Sequence, residues 1–381
     1  MVKQSSLKPL QNVYLSLGSN MGDRFGHLQT ALDFIFEEVG GIMKISPVYQ
    51  TPALGFEGDD FLNCVAVVQS TFSPKKILKS VLAVEKKMGR ERSPSKIVAS
   101  RPIDIDILAV ENTVIATPLL TVPHPEIQHR KFVLQPLADI NAGWEHPVLH
   151  KKVGQLLAKT KDKSPIAKLS KWLKNPMNGF SISRFNYIAI EGNIGAGKTS
   201  LATMIANDFN AKLILERFKD NPFLPKFYQE PGRYAFPLEM SFLADRYQQL
   251  LEDIAQYDLF NDCIVADYDV YKSLIFAKIT LQNEEFALYK KLFHIMHNEL
   301  PKPDLYVYLY QNTETLLENI KKRGRPYEQN IRAHYLEKLG KGYLEFIQNQ
   351  PHRNIKRIDI SGTEFIKDRK NYLKVLREIT S

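Results

Sequence analysis

The period of the apolar positions changes several times along the chain. Val13-Tyr-Leu-Ser-Leu17 reads as a strand that ends in the turn Gly18-Ser-Asn-Met-Gly-Asp23, and Arg24 to Val39 carries helical spacing. Ile45-Ser-Pro-Val-Tyr49 and Phe61-Leu-Asn-Cys-Val-Ala-Val-Val68 read as further strands, followed by a helix over Pro74 to Met88. Helices alternating with strands predict an α+β sandwich for this half. Farther along, apolar runs at Tyr187–Ile190, Lys212–Glu216, Cys263–Asp267, Leu305–Tyr310 and Ile355–Ile360 are separated by helical stretches, which predicts a parallel, doubly wound sheet. Between Leu157 and Tyr187 the pattern gives way to KTKDKSPIAKLSKWLKNPMNGFSISRFN, whose prolines, lysines and Asn-Gly pair read as a linker. Within it, Leu169, Trp172 and Leu173 form either an apolar turn docked on a neighbour or a local anchor. The expected division is a first domain over 1–162, a linker over 163–184 and a second domain over 185–381.

Length supports that division, since 381 residues exceed what one core usually organises. Hydrophobic content of 44% and charged content of 24% lie in the ordinary globular range. The net charge of +9 is spread along the chain without an arginine block, so attraction for nucleotides explains it as well as nucleic acid does. No nucleic-acid or membrane partner is expected. Cys64 and Cys263 each lie in an apolar stretch and read as reduced, buried thiols. No apolar run has membrane-spanning length and MVKQSSLKPLQ lacks a signal core, so the expected location is the cytoplasm.

The most informative motif is Gly192-Asn193-Ile194-Gly195-Ala196-Gly197-Lys198-Thr199, a complete Gly-x-x-x-x-Gly-Lys-Thr loop between a strand and a helix. Its glycines let backbone N–H groups wrap phosphates, Lys198 bridges the β- and γ-phosphates and Thr199 offers a hydroxyl to Mg²⁺. Ligands of such sheets sit beyond the carboxyl ends of the strands. Glu216 and Asp267 each end a strand there: Glu216 could take a proton from a hydroxyl aimed at the γ-phosphate, and Asp267 could order the metal or its waters. Either carboxylate also suits a helix cap or a structural ion pair. Lys321-Lys-Arg323-Gly-Arg325-Pro after a helix reads as a solvated basic end or, opposite the phosphate loop, as a lid in which Arg323 and Arg325 cover phosphates. In the first half, Asp104 and Asp106 share one face of a strand while Ile103, Ile105 and Ile107 fill the other. An Asp-x-Asp alone fits an exposed polar face, but Arg90, Arg92 and Arg101 point to Mg²⁺ with a polyphosphate.

Five ordered blocks, LGSNMGDR, SPVYQTPALG, DDFLNCVAVV, RPIDIDIL and LTVPHPEIQHRKFVLQPL, make residues 11–160 resemble the 6-hydroxymethyl-7,8-dihydropterin pyrophosphokinases. That resemblance implies pyrophosphoryl transfer from ATP to the pterin's hydroxymethyl oxygen, with AMP released, in folate synthesis. It implies Asp104 and Asp106 as ligands of two Mg²⁺ ions. Glu85, Arg90, Arg92, Arg101, His124 and Arg130 match positions that contact ATP or organise mobile loops. Thr51, Pro52, Ala53, Leu54, Phe61, Asn63 and Phe132 match the pterin pocket, where two aromatic rings sandwich the heterocycle and the Asn amide reads its edge. The family's Trp-Gly-Pro before the active-site arginine is replaced by Val98-Ala99-Ser100, so loop closure over ATP is expected to differ.

Residues 185–381 resemble the deoxyribonucleoside kinases through IEGNIGAGKTSL, the Glu of LILERF, NPFLPKFYQEPGRYAFPLEMSFLADRYQ and KKRGRPYEQN. The resemblance implies that Glu216 is the base for the deoxyribose 5′-hydroxyl, that Tyr228 and Glu328 hold the 3′-hydroxyl, that Arg246 orients the nucleoside and that Arg323 and Arg325 clamp phosphate. A homodimer through this domain is the default expectation. Two positions depart from the family. Asp267-Tyr268-Asp269 stands where Asp/Glu-Arg-Ser is usual, removing a charge-stabilising arginine. Glu239 replaces the base-reading glutamine. A carboxylate only accepts hydrogen bonds, which suits guanine's donors and suits adenine only if another group donates. Overall similarity favours deoxyadenosine, with deoxyguanosine close behind and a broad-specificity kinase as the further alternative. The expected fold is thus a ferredoxin-like α+β sandwich joined to a P-loop kinase domain, both using Mg²⁺ and ATP. The alternatives are a non-catalytic assembly module in the first half or a nucleotide sensor in the second.

Overall fold

The computed structural model describes residues 9–53, 56–90, 99–217, 221–255 and 261–381. Leu54, Arg92 and Val98 lie outside them. The chain divides into two compact units, 1–179 and 180–381.

In the first unit, β1 (Gln11–Ser19), α1 (Arg24–Glu38), β2 (Gly41–Ile45), β3 (Tyr49–Thr51), β4 (Phe61–Ser70), α2 (Pro74–Lys87) and β5 (Asp104–Val110) build an antiparallel sheet in the order β5-β1-β4-β3, with β2 also on β4. Helices α1 and α2 pack together and against the sheet. The other face is covered by α3 (Lys131–Asn141) and α4 (Val153–Lys159), whose Val133, Leu134, Leu137, Val153 and Leu156 form one cluster with Tyr14, Val65, Val67 and Leu108. A short hairpin, β6 (Ile115–Ala116) with β7 (Thr121–Val122), leads into α3.

Two expectations change here. The run Ile45–Tyr49 is divided between β2 and β3, because Pro47 has no N–H to donate and Ser46 turns its Oγ to the Val65 N–H at 2.9 Å. Much of the expected linker is built into the first unit. Ala167–Lys168 forms β8 on the edge of β3, Leu169 N–H donates to the Val48 carbonyl at 2.9 Å, and the Asn175 amide donates to the Ile42 carbonyl at 2.7 Å. A segment with few apolar residues reads as a linker from sequence, yet an open strand edge gives its backbone partners.

In the second unit, five strands lie parallel in the order β10-β11-β9-β12-β13: β9 (Tyr187–Gly192), β10 (Lys212–Ile214), β11 (Ile264–Ala266), β12 (Leu305–Tyr310) and β13 (Ile355–Asp359). The predicted doubly wound sheet is therefore present. Helix α5 (Lys198–Asp208) follows the phosphate loop; α6 (Leu224–Gln229), α7 (Pro231–Ala255), α8 (Tyr271–Thr280) and α9 (Asn283–His297) lie between β10 and β12 in the chain. Helices α10 (Thr313–Arg323), α11 (Ala333–Gln348) and α12 (Arg369–Thr380) complete the unit. Among the described residues no helix is long and apolar enough to cross a membrane.

Candidate active sites

The first site is set by strand register. Gly18 on β1 stands opposite Asn63 on β4 and Asp104 on β5, and Ser16 stands opposite Asp106, so the two carboxylates and the amide share one face at one end of the sheet. A Cβ at Gly18 would meet Asn63 Oδ1 at 2.8 Å, so any larger residue there would have to displace the Asn63 amide. The opposite face is apolar, with Ile103 fully buried and Ile105 and Ile107 nearly so. A cavity of about 240 Å³ is lined by Thr51, Pro52, Phe61, Asn63, Arg101, Asp104, Asp106, Arg130 and Phe132, which brings together nine of the residues expected from sequence. Asn63 Nδ2 donates to Thr51 Oγ1 at 2.8 Å.

Arginines surround the carboxylates. Arg90 pairs with both Glu85 and Asp104, and Arg101 reaches Asp104 at 3.2 Å. Arg130 lies 3.8 Å from Asp106. Glu85, 2% exposed, also accepts from the Ile105 N–H at 2.9 Å, so it anchors Arg90 to the strand that carries the aspartates. The buried Nε of Arg101 has no partner among the described residues. Burial, and then the facing Asp104, pushes the Asp106 carboxyl up to about 6. Crowded hard-oxygen donors of like charge fit a divalent cation. Burial and Arg130 hold the His124 imidazole below its usual range, and its Nδ1 accepts from the Glu126 N–H at 3.1 Å. Ala53 does not line the cavity. Phe56 does, edge-on to Phe61 at 6.3 Å, as do Ser16 and Gly18. The loop position of Phe56 carries no periodic signal, whereas the glycine in LGSN at a strand end was a legible cue.

The second site forms where β9, β10 and β11 end. Gly195 and Gly197 hold φ of 87° and 86°, a left-handed backbone that favours glycine, and Gly197 caps α5. Lys198 Nζ donates to the carbonyls of Gly192 and Asn193 at 2.9 and 3.0 Å. Asn193 is locked by its own amide, which donates to the Leu336 carbonyl at 2.7 Å. Thr199 Oγ1 donates to Asp267 Oδ2 at 2.5 Å, and Asp267 Oδ1 accepts from the Glu216 N–H at 2.8 Å. One carboxylate thus ties the phosphate loop to the candidate base. Thr199 and Asp267 together offer hard oxygens that fit Mg²⁺.

The Glu216 carboxylate is held on both oxygens. Arg246 Nε and Nη2 donate to Oε1 at 2.9 and 2.7 Å, and Lys272 Nζ donates to Oε2 at 2.6 Å. Burial alone would raise its pKa; Lys272 and Arg246 overcome that and hold it well below the usual carboxylate range. Glu239, 2% exposed, receives only Thr280 Oγ1, at 3.1 Å on Oε1, while its Oε2 has no partner among the described residues. Burial pushes this carboxyl up to about 7. Tyr228 stacks on Tyr327 at 6.1 Å, and its hydroxyl is pushed upward by burial and then by Glu328. Arg323 and Arg325 both pair with Glu328, Arg325 at 3.0 Å. Helix α10, which ends in Arg323, packs on the phosphate loop, for Asn319 Nδ2 donates to the Gly195 carbonyl at 3.0 Å.

Two residues of this site escaped the sequence reading. Glu191 is fully buried, accepts from the Asp269 N–H and the Tyr343 hydroxyl at 2.8 and 2.9 Å, and is pushed up to about 7 by burial. Lys272 had a legible cue: a cation in the first turn of a helix opposes the helix dipole and calls for an anionic partner.

Comparison with known proteins finds a family for each unit. The family described as 7,8-dihydro-6-hydroxymethylpterin-pyrophosphokinase matches residues 14–142, and the deoxynucleoside kinase family matches residues 188–381. Over 138 residues, 35% of this chain and 93% of the relative, the chain is 42% identical to a 2-amino-4-hydroxy-6-hydroxymethyldihydropteridine pyrophosphokinase of Porphyromonas gingivalis. Over 197 residues, 51% of this chain and 95% of the relative, it is 38% identical to a deoxyguanosine kinase of Bacillus subtilis. It is 36% identical over 185 residues, 47% of this chain and 74% of the relative, to a deoxyadenosine kinase of Dictyostelium discoideum. The chain therefore belongs to two families joined end to end, the hydroxymethyldihydropterin pyrophosphokinases in its first unit and the deoxynucleoside kinases in its second.

Proposed function

We propose that the first unit transfers a pyrophosphoryl group from ATP to the hydroxymethyl oxygen of 6-hydroxymethyl-7,8-dihydropterin. The second unit phosphorylates the 5′-hydroxyl of a purine deoxynucleoside, deoxyadenosine being favoured. The observation that carries the first assignment is the cavity in which Phe61, Phe132 and Asn63 meet Asp104, Asp106, Arg101 and Arg130. A flat heterocycle fits between apolar rings, and its pendant hydroxymethyl group then faces the carboxylates and arginines. The hydroxymethyl oxygen bonds to the β-phosphorus of ATP and releases its proton to water, as the bond from that phosphorus to the α–β bridging oxygen breaks and leaves its electron pair on AMP. Catalysis here is alignment plus charge neutralisation, which the arginines supply. The strand order around β1 and β4, with α1 and α2 between successive strands, supports the ferredoxin-like reading.

In the second unit the Asp267 bridge between Thr199 and Glu216 supports the kinase assignment. The 5′-oxygen bonds to the γ-phosphorus, its proton passes to Glu216, and the bond to the bridging oxygen breaks to leave the electron pair on ADP. Lys198 neutralises the phosphates, with Arg323 and Arg325 as lid cations. Asp104 with Asp106, and Thr199 with Asp267, would hold Mg²⁺, which would supply further charge neutralisation on each polyphosphate. Glu239 supports the deoxyadenosine reading in its neutral form, since a carboxylic acid carries one donor and one acceptor as an amide does. Its ionised form offers two acceptors to guanine, and that supports deoxyguanosine as the second reading.

Product chromatography of the full chain with Mg²⁺ and ATP, offering the pterin and each deoxynucleoside separately, tests both assignments. AMP is expected with the pterin and ADP with a purine deoxynucleoside. Absence of either product overturns the corresponding half. A homodimer through the second unit is part of this reading, and light scattering that returns the mass of one chain would remove it.

A further inference from the structure

The carboxylate that faces the 5′-hydroxyl is gripped by two cations from different helices. Arg246 comes from α7, and Lys272 from the first turn of α8, where it is 7% exposed. The same turn steadies the other cation, because Ser273 Oγ accepts from Arg246 Nη1 at 2.6 Å. Lys272 also lies close enough to Lys198 for the two ammonium groups to repel, so it is near the phosphate loop as well as Glu216. The side chain at 268 does not contribute charge there. Tyr268 is fully buried and belongs to the apolar cluster with Leu243, Leu250, Ile264 and Phe293. The first turn after β11 therefore delivers its cation from position 272 instead.

Resting on the kinase reading above, we propose that Lys272 is a positioning residue for phosphoryl transfer, fixing the Glu216 carboxylate so that its free acceptor direction faces the 5′-hydroxyl. A carboxylate paired twice is a weak base. That suits a loose transition state, in which the attacking oxygen keeps its proton until bonding to phosphorus is advanced and orientation matters more than basicity. Arg246 alone fixes only Oε1. Without Lys272, Oε2 loses its partner and the carboxylate is free to turn out of line with the hydroxyl.

The test is steady-state kinetics of the full chain with Lys272→Met, of similar length but neutral, and Lys272→Arg, with kcat and KM separated for deoxyadenosine, deoxyguanosine and ATP. Lys272→Met should lower kcat by about 10²- to 10³-fold, the range seen when one preorganised electrostatic group is removed. Both KM values should stay within about threefold, because the loss falls on the transition state rather than on uniform binding. Lys272→Arg should recover kcat to within about tenfold of the parent, since charge is kept though its geometry differs. Pterin turnover and thermal melting monitor folding of each preparation. The proposal is overturned if Lys272→Met keeps kcat within about twofold. It is equally overturned if Lys272→Arg is as impaired as Lys272→Met, since the charge would then not be what matters. An unmodified chain that turns over the pterin but no deoxynucleoside overturns the kinase reading itself, and the unmodified arm makes that outcome distinct.

Discussion

Glu239 is a buried group on whose protonation state the proposed choice of base turns. It faces Arg246 on its own helix, Lys272 and Thr280 on α8, Tyr289 on α9, Glu216 beyond β10, Tyr228 on α6 and Tyr335 on α11. Raising the pH through about 7 ionises it and exchanges a donor for an acceptor. The ratio of kcat/KM for deoxyadenosine to that for deoxyguanosine should therefore fall by about tenfold or more between roughly pH 6 and 8. Glu239→Gln should keep that ratio flat and in favour of adenine. Lys198, lowered to about 8 by burial and then Lys272, titrates nearby but acts on both substrates alike, so the ratio isolates Glu239. Stability follows the same sign. The folded pKa exceeds the unfolded one, so the native state binds more protons between about 4.5 and 7. The contribution is complete below that window and lost as pH rises through it, and the melting temperature of Glu239→Gln relative to the parent should rise from pH 5 to pH 8. In the first unit, Gly18→Ala should displace the Asn63 amide and raise the pterin KM by about tenfold or more, with KM for ATP unchanged. An unchanged pterin KM would dissociate Asn63 from base-edge recognition.

Among the elements, the phosphate loop is the clearest case of sequence dictating backbone. Gly195 combines a φ of 87° with a tight neighbour, since a Cβ at this position would lie 2.9 Å from the Leu316 carbonyl oxygen on α10. Gly195→Ala meets both obstacles, and about 1–3 kcal/mol of strain is expected at that position. Deoxynucleoside phosphorylation should fall by tenfold or more, on the order of that strain converted to a rate, while pterin turnover is unaffected. Equal loss of both activities would show that the damage is not local. The strand pair β1 and β5 was similarly legible, because Asp-x-Asp within an isoleucine alternation leaves one orientation in which the core is dry. Segment 163–184 was not, since its order comes from the open edge of β3 and from partners such as Ile42, far away in the chain.

For the molecule as a whole, the chain carries two units, each with its own core. Asp104→Ala should lower pyrophosphoryl transfer by about three orders of magnitude, the effect of losing several kcal/mol of charge stabilisation, and leave deoxynucleoside phosphorylation intact. Product chromatography of the full-length variant checks both numbers at once. Loss of both activities would contradict independent units and restore the assembly-module alternative for the first half.

Local pattern determined the two cores, the strand-loop-helix of the phosphate site and the carboxylates at strand ends, because those features depend on periods of two and on glycine backbones that neighbours in sequence already specify. Resemblance to two families added the roles of residues that no periodicity distinguishes. Tertiary packing alone decided which charges meet. It turned Tyr268 into the core and put Lys272 on Glu216, 56 positions away. It also left one oxygen of Glu239 without a partner among the described residues and set Phe56 beside Phe61 in the cavity of the first unit. The reason is that ionisation, pairing and cavity shape depend on distances across elements, and such distances exist only once the sheet register and helix packing are fixed.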